Sequence, residues 1–294
     1  MPTPLRIGPI RIGTRGSPLA LAQARLVADA LRSAHGWSEE AVEIVPITTS
    51  GDVIQDRPLS ELGGKALWTR ELDACLIAGR TDMSVHSMKD VETLRPDMLA
   101  LAAMLERADT RDRLVGAEGL DALRAGARVG TSSPRRTAQL LARRPDLRCA
   151  PIRGNVETRL AKVAAGEVDA TLLAAAGLDR LGIEAGVPLD LLPAPAQGAI
   201  GVEILGRRDD LRALLEAIDH APTQQAVTAE RAFLAALGGD CHSAVAALAS
   251  GDRVKAEILS ADGRETLSGE GAPAELARDL LARASPALRA TFGR

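Results

Sequence analysis

Arg11-Ile-Gly-Thr-Arg-Gly-Ser17-Pro18, near the start of the chain, is echoed by Arg128-Val-Gly-Thr-Ser-Ser133-Pro134, one residue shorter. Each copy runs from an extended apolar stretch into a Ser-Pro pair. A serine at the N-cap accepts an orphan backbone N–H, and a proline at the first helical position needs no N–H partner, so both copies predict a strand-to-helix junction. An Ala-Gln pair follows in both, with Gln23 and Gln139 each five residues after the proline. The echo reads as a weak internal repeat, with chance similarity of two strand-to-helix junctions as the alternative, and as a repeat it predicts two similar α/β domains.

Working outward from the first copy, periodicity predicts a strand over residues 5–13, a helix over 18–34 and a strand over 42–48. A Gly-, Asp- and Pro-rich loop over 50–65 follows, then a helix over 67–78, a strand over 82–88 and an extended run over 99–105. Around the second copy it predicts strands over 128–132, 147–152 and 170–174, with helices over 134–143 and 156–165. Such alternation implies helices layered on a largely parallel sheet. Residues 191–198 are Pro-rich and read as a crossing segment, and a strand over 199–205 is expected to return to the first sheet. Beyond this come a helix over 224–237, a Gly-Gly-Asp-Cys-His loop and three extended runs. Asp262-Gly263 makes the hairpin turn between the last two runs, and a helix covers 273–284. The expected boundaries are 1–107 with 197–218, 108–196, and a small α+β domain over 219–294.

The chain has 294 residues, is 46% hydrophobic and carries a net charge of −3, the balance of a soluble globular protein rather than of a nucleic-acid coat. Its aromatic content is 1%, with no tyrosine, which excludes base-stacking platforms and aromatic sugar grooves. No apolar run is long enough for a membrane span, so the cytoplasm is the expected location. The three cysteines form no CxxC and join no Cys/His cluster, so neither a disulfide framework nor a metal site is expected. Among 36 basic residues only Lys65, Lys89, Lys162 and Lys255 are lysine.

Both Ser-Pro helix starts offer free N–H groups and the positive end of a helix dipole, which suit an anion. Arg15 stands at the first; Arg135 and Arg136 follow the second. Arg153-Gly154-Asn155 opens a further helix with Asn155 as its N-cap, and Arg159 lies one turn on. Arginines at the carboxyl ends of strands suit a ligand with several carboxylates, although each alone is also what a solvated helix end shows. No phosphate-loop fingerprint is present. Asp90, after the strand over 82–88, reads either as a turn residue or as a general acid/base able to hold a developing cation. Cys75 and Cys149 fall in apolar elements and are expected to be buried and inert. Cys241, after Gly238-Gly239-Asp240, reads as a reachable loop thiol, structural or nucleophilic.

Nine motifs run in order over nearly the whole chain: Thr14-Arg-Gly-Ser-Pro-Leu-Ala-Leu, Ser50-Gly-Asp, Gly63-Gly-Lys-Ala-Leu, Val85-His-Ser-Met-Lys-Asp, Gly130-Thr-Ser-Ser-Pro-Arg-Arg, Arg153-Gly-Asn-Val-Glu-Thr-Arg, Ala176-Gly-Leu-Asp-Arg, Gln197-Gly-Ala and Gly238-Gly-Asp-Cys. Together they resemble the porphobilinogen deaminase (hydroxymethylbilane synthase) family. The resemblance implies two α/β domains arranged as in periplasmic binding proteins, plus the small third domain. It implies a dipyrromethane cofactor joined to Cys241 by a thioether. On this primer four porphobilinogen molecules are joined head to tail with loss of ammonia, and hydrolysis then frees hydroxymethylbilane. Asp90 would be the catalytic carboxylate. Arg15, Ser17, Lys65, Lys89, Thr131, Ser133, Arg135, Arg136, Arg153, Asn155, Arg159, Arg180 and Gln197 would bind cofactor and substrate.

A monomer is implied, with a small-molecule substrate and no nucleic-acid or membrane partner. Three positions depart from the family pattern: Glu61 where some relatives carry lysine, Trp68 where phenylalanine is usual, and Ala244 in place of a proline. A non-catalytic two-domain anion-binding protein is the alternative; it would leave Cys241 and the third domain without a role.

Overall fold

The structure is a computed structural model that describes residues 8–50, 69–240 and 242–293. Lys65, Glu61, Trp68 and Cys241 lie outside the described residues, as do the loop over 51–65 and the first residues of the strand expected from residue 5. By internal contacts the chain divides into two compact units, residues 1–107 with 199–224 and residues 108–198 with 225–294.

In the first unit, β1 (Ile10–Arg15) runs into α1 (Pro18–His35), with Ser17 as N-cap and Pro18 at the first helical position. Ala24, Val27, Ala28 and Leu31 recur at helical spacing on one face of α1 and are fully buried. They share a core with Ile12 of β1, Met83 and Val85 of β3 (Met83–Ser87) and Val202 and Ile204 of β10 (Ile200–Leu205). The sheet also includes β2 (Val42–Ile47) and β4 (Leu99–Met104), in the order β2-β1-β3-β10-β4. β1 is parallel to β2 and β3, whereas β10 is antiparallel to both β3 and β4. Helix α2 (Arg70–Ile77) covers residues Leu72 and Leu76, both fully buried.

The second unit repeats this plan. β6 (Arg128–Gly130) lies between parallel neighbours β7 (Arg148–Ala150) and β8 (Ala170–Ala174), and β5 (Asp112–Val115) is antiparallel to β8 and β9 (Val187–Leu189). The order is β7-β6-β8-β5-β9. Helices α3 (Pro134–Arg143) and α4 (Val156–Ala164) start at Ser133 and Asn155, whose side chains accept from Arg136 N and Thr158 N. The sheets are therefore mixed, not largely parallel as expected. In each, a strand from a distant part of the chain closes the edge of the parallel set. β5 and β9 escaped the periodicity because they are only four and three residues long and carry charged or Pro residues.

The C-terminal α+β segment has its own core between α5 (Ala221–Leu237), α6 (Pro273–Arg283) and the antiparallel sheet β11 (Val245–Ser250), β12 (Arg253–Leu259) and β13 (Thr266–Gly271). It packs on residues 108–198 through polar ties as well. Glu230, fully buried, accepts from Ala196 N at 2.6 Å and Ala249 N at 2.8 Å. Ala196 has φ 62°, an uncommon conformation for a residue with a Cβ, and the buried bond to Glu230 holds it there. Gln139 Nε2 donates to Glu257 Oε2 of β12 at 2.8 Å.

Candidate active site

The first unit carries an open cleft whose walls include Arg15, Ser17, Gln23, Thr69, His86 and Asp90. Each wall residue is placed by a backbone feature. Arg15 ends β1, and Ser17 caps α1, accepting from Ala20 N at 3.3 Å. Asp90 and Lys89 belong to a 3-10 turn, Met88–Asp90, that follows β3 directly and leaves both half-buried. Met88 N donates to Ala199 O at 3.1 Å, and the Met88 side chain is buried at the point where β10 carries Gly201. A Cβ at Gly201 would collide with Met88 Sδ, so glycine is required for the turn to seat against the sheet. The cleft thus joins a carboxylate with a guanidinium and the positive end of a helix, and suits a substrate that carries both an anionic group and a developing cation.

Behind the cleft lies a buried ion network that sequence reasoning missed. Glu203 of β10 is fully buried, and its Oε1 and Oε2 accept from Arg95 Nε and Nη2 at 2.9 and 2.7 Å. His86 Nε2 is 3.3 Å from Glu203 Oε2. Burial pushes the Glu203 carboxyl up, but the contacts with His86 and Arg95 outweigh it and bring it down to about 2. A glutamate in the unfolded chain titrates near ~4.3. Because the folded value is the lower one, the stability it supplies is complete above ~4.3 and is lost as pH falls from there towards 2. Acid titration followed by circular dichroism should therefore show Glu203→Gln with a shallower loss of stability than the parent in this window. An unchanged slope would refute the assignment.

In the second unit Thr131 and Ser133 follow the carboxyl end of β6, and Arg153, Asn155 and Arg159 follow that of β7, whereas Arg180 ends a helix that follows β8. Thr131 N donates to Ala150 O at 2.9 Å, and Ser133 N to Thr131 Oγ1 at 3.2 Å. Gly154 at φ 106° allows the backbone to turn into α4, since a Cβ there would meet Thr158. Arg159 Nε donates to Gly154 O at 3.0 Å, and Arg153 is half-buried in the same turn. Arg180 Nη2 donates to Gly198 O at 2.7 Å; burial brings its guanidinium down to about 10, so it stays charged at neutral pH.

Arg135 and Arg136 are buried rather than exposed, and both pair with Asp112 at the start of β5. Arg135 Nη2 lies 2.8 Å from Asp112 Oδ2, and Arg136 Nη2 lies 2.7 Å from Asp112 Oδ1. Gln197 Nε2 also donates to Asp112 Oδ1, at 2.9 Å. Burial pushes the Asp112 carboxyl up, but the two guanidiniums hold it well below the usual carboxylate range. Asp112 has no sequence signature; it opens a four-residue strand far from its partners.

Of the cysteines, Cys75 is buried on α2, as expected. Cys149 is half-buried on β7, a correction to the expected burial that follows from its place on an edge strand. Burial still pushes the Cys149 thiol up. On either side of position 241, Gly239 N donates to Leu234 O and His242 N to Asp240 Oδ1, at 3.0 and 2.8 Å. Among the described residues no cluster of His, Cys, Asp and Glu could hold a metal ion.

Comparison with known proteins gives a consistent result. The family model described as "Porphobilinogen deaminase, dipyromethane cofactor binding domain" matches residues 10–213, and "Porphobilinogen deaminase, C-terminal domain" matches residues 224–283. The porphobilinogen deaminase of Sphingopyxis alaskensis is 58% identical, across 97% of this chain and 96% of its own. That of Paracoccus denitrificans is 50% identical, across 92% and 89%. Among solved structures, the methionine-binding protein MetQ aligns with a TM-score of 0.45 and 10% identity, over 76% of this chain and 94% of that one. The chain belongs to the porphobilinogen deaminase family.

Proposed function

We propose that Asp90 is the catalytic carboxylate of this chain and that Cys241 carries its dipyrromethane. The chain is a transferase of tetrapyrrole biosynthesis, a hydroxymethylbilane synthase: it joins four porphobilinogen molecules head to tail with release of ammonia, and hydrolysis frees the product. The observation that carries the assignment of Asp90 is the cleft it shares with Arg15 and the N-terminus of α1.

The dipyrromethane, when bound, supplies a primer whose terminal pyrrole carbon can form the new carbon–carbon bond. Arg135 and Arg136 fit a group of this kind. Both guanidiniums are buried and share the Asp112 carboxylate, yet the Nε–H of each has no hydrogen-bond partner among the described residues and is left to donate to a bound acceptor. Lys65, Lys89, Thr131, Ser133, Arg153, Asn155, Arg159, Arg180 and Gln197 complete the set that would bind the acetate and propionate groups. Asp90 accepts the pyrrole N–H of the substrate and stabilises the positive charge that develops on it as ammonia leaves. Arg15 and the Ser17 helix start hold the substrate carboxylates, so that this charge forms beside Asp90.

In this reading residues 219–294 act as a third domain that carries Cys241, and the chain works as a monomer in the cytoplasm. Among the described residues no helix is long and apolar enough to cross a membrane. Incubation with porphobilinogen is expected to release ammonia in step with hydroxymethylbilane. Saturable binding of porphobilinogen with no ammonia would instead establish a non-catalytic anion-binding protein.

A further inference from the structure

Arg95 lies in the segment between Asp90 and β4, and its side chain is only 9% exposed. Its guanidinium makes five hydrogen bonds. Nε and Nη2 reach the two oxygens of Glu203 at 2.9 and 2.7 Å, and Nη2 also reaches Asp73 Oδ1 at 2.6 Å. Nη1 reaches Glu92 Oε2 at 2.5 Å and Thr69 Oγ1 at 3.2 Å. Five N–H donors are all that a guanidinium has. The partners lie on separate parts of the first unit. Thr69 and Asp73 flank the start of α2, Glu203 is on β10, and Glu92 is two residues past Asp90. Thr69 in turn donates to Glu92 Oε1 at 2.8 Å.

Thr69 and Asp90 both line the cleft, as does His86, which contacts Glu203. We propose that Arg95 is a positioning residue for the polymerisation reaction: it fixes the exit of the Asp90 turn, through Glu92, to Thr69, which lines the same cleft at the start of α2, and to Glu203 of β10, which contacts the cleft residue His86. The proposal rests on the reading of Asp90 as the catalytic carboxylate. Without the guanidinium, Glu203, Asp73 and Glu92 are three carboxylates drawn towards one point with no cation between them. They separate, and the turn that bears Asp90 moves with Glu92. A displacement of ~1 Å at a reacting group can cost on the order of 10²-fold in rate even when its cause lies outside the site. Lysine cannot restore the arrangement fully, because an ammonium is a point donor with three N–H groups and the partners are set out for a planar fork.

The test is steady-state kinetics and thermal unfolding of Arg95→Met, Arg95→Lys and Glu92→Gln, with Leu31→Ala as a comparator that weakens the core of the same unit away from the cleft. Arg95→Met is expected to lower kcat by about 10- to 100-fold in folded protein, with a smaller change in KM, and Arg95→Lys to recover part of the loss. Glu92→Gln, which weakens one tie only, is expected to lower kcat several-fold with little change in Tm. Leu31→Ala should lose stability and keep its kcat. Should Arg95→Met fail to fold, Glu92→Gln decides alone. Wild-type kcat in folded Arg95→Met, or in Glu92→Gln, overturns the proposal, as does a loss in Arg95→Met no larger than in Leu31→Ala at equal stability. Asp90→Ala, run alongside, separates the two readings. If it is inactive while the Arg95 and Glu92 variants keep their kcat, only the role of Arg95 falls. If it is active, the reading of Asp90 falls and the positioning role with it.

Discussion

Asp90→Ala is expected to remove nearly all turnover while leaving the fold intact. Asp90 sits half-buried in a 3-10 turn, outside the core clusters, so its side chain contributes little to packing. Its proposed work is done as the substrate loses ammonia, when positive charge grows on the pyrrole and a fixed carboxylate stabilises that charge without reorganising. An interaction that strengthens only as charge develops appears in kcat, and losing one preorganised group of this type costs roughly 10²–10³-fold. Porphobilinogen binding should change little, because Arg15 and the capped start of α1 remain. Asp90→Glu keeps the charge but offsets it by a methylene, and should fall between alanine and the parent. The checks are steady-state kinetics and far-ultraviolet circular dichroism on the three proteins. A well-folded Asp90→Ala enzyme with near-normal kcat would remove Asp90 from the mechanism.

Cys241→Ser should lose both the covalent cofactor and most of the activity. Intact mass of the parent is expected to exceed the sequence mass by a dipyrromethane, and peptide mapping should place the adduct on Cys241. A thioether is not a substrate for thiol–disulfide exchange, so the adduct should survive dithiothreitol. Limiting porphobilinogen should add a ladder of one, two and three further pyrrole units. Cys75→Ser and Cys149→Ser should keep adduct and activity if they fold. Cys75 is buried on α2, where an electrophile does not reach it, and burial raises the Cys149 thiol, which lowers the share of reactive thiolate there. Active enzyme at the bare sequence mass, or an adduct on Cys75 or Cys149, would overturn the assignment.

Local chemistry decided what was legible in the sequence. The two Ser-Pro junctions, the Asn155 cap and the helix Pro134–Arg143 follow from side chains that satisfy backbone groups a few residues away, and the structure has each of them. The nine ordered motifs carried the family, and Asp90 was legible as a carboxylate just past a strand. What the sequence could not decide was set by contacts between distant segments. Whether β10 enters the first sheet parallel or antiparallel depends on pairing with Met83–Ser87 and Leu99–Met104, and nothing within Ile200–Leu205 encodes that direction. The burial of Arg135 and Arg136 follows from Asp112, and the part played by Arg95 from Glu203. Those partners lie 23, 24 and 108 residues away. A charged residue reads the same in sequence whether it faces water or a buried counter-charge. Only the tertiary structure brings the counter-charge within hydrogen-bonding distance, and there desolvation makes the pairing obligatory.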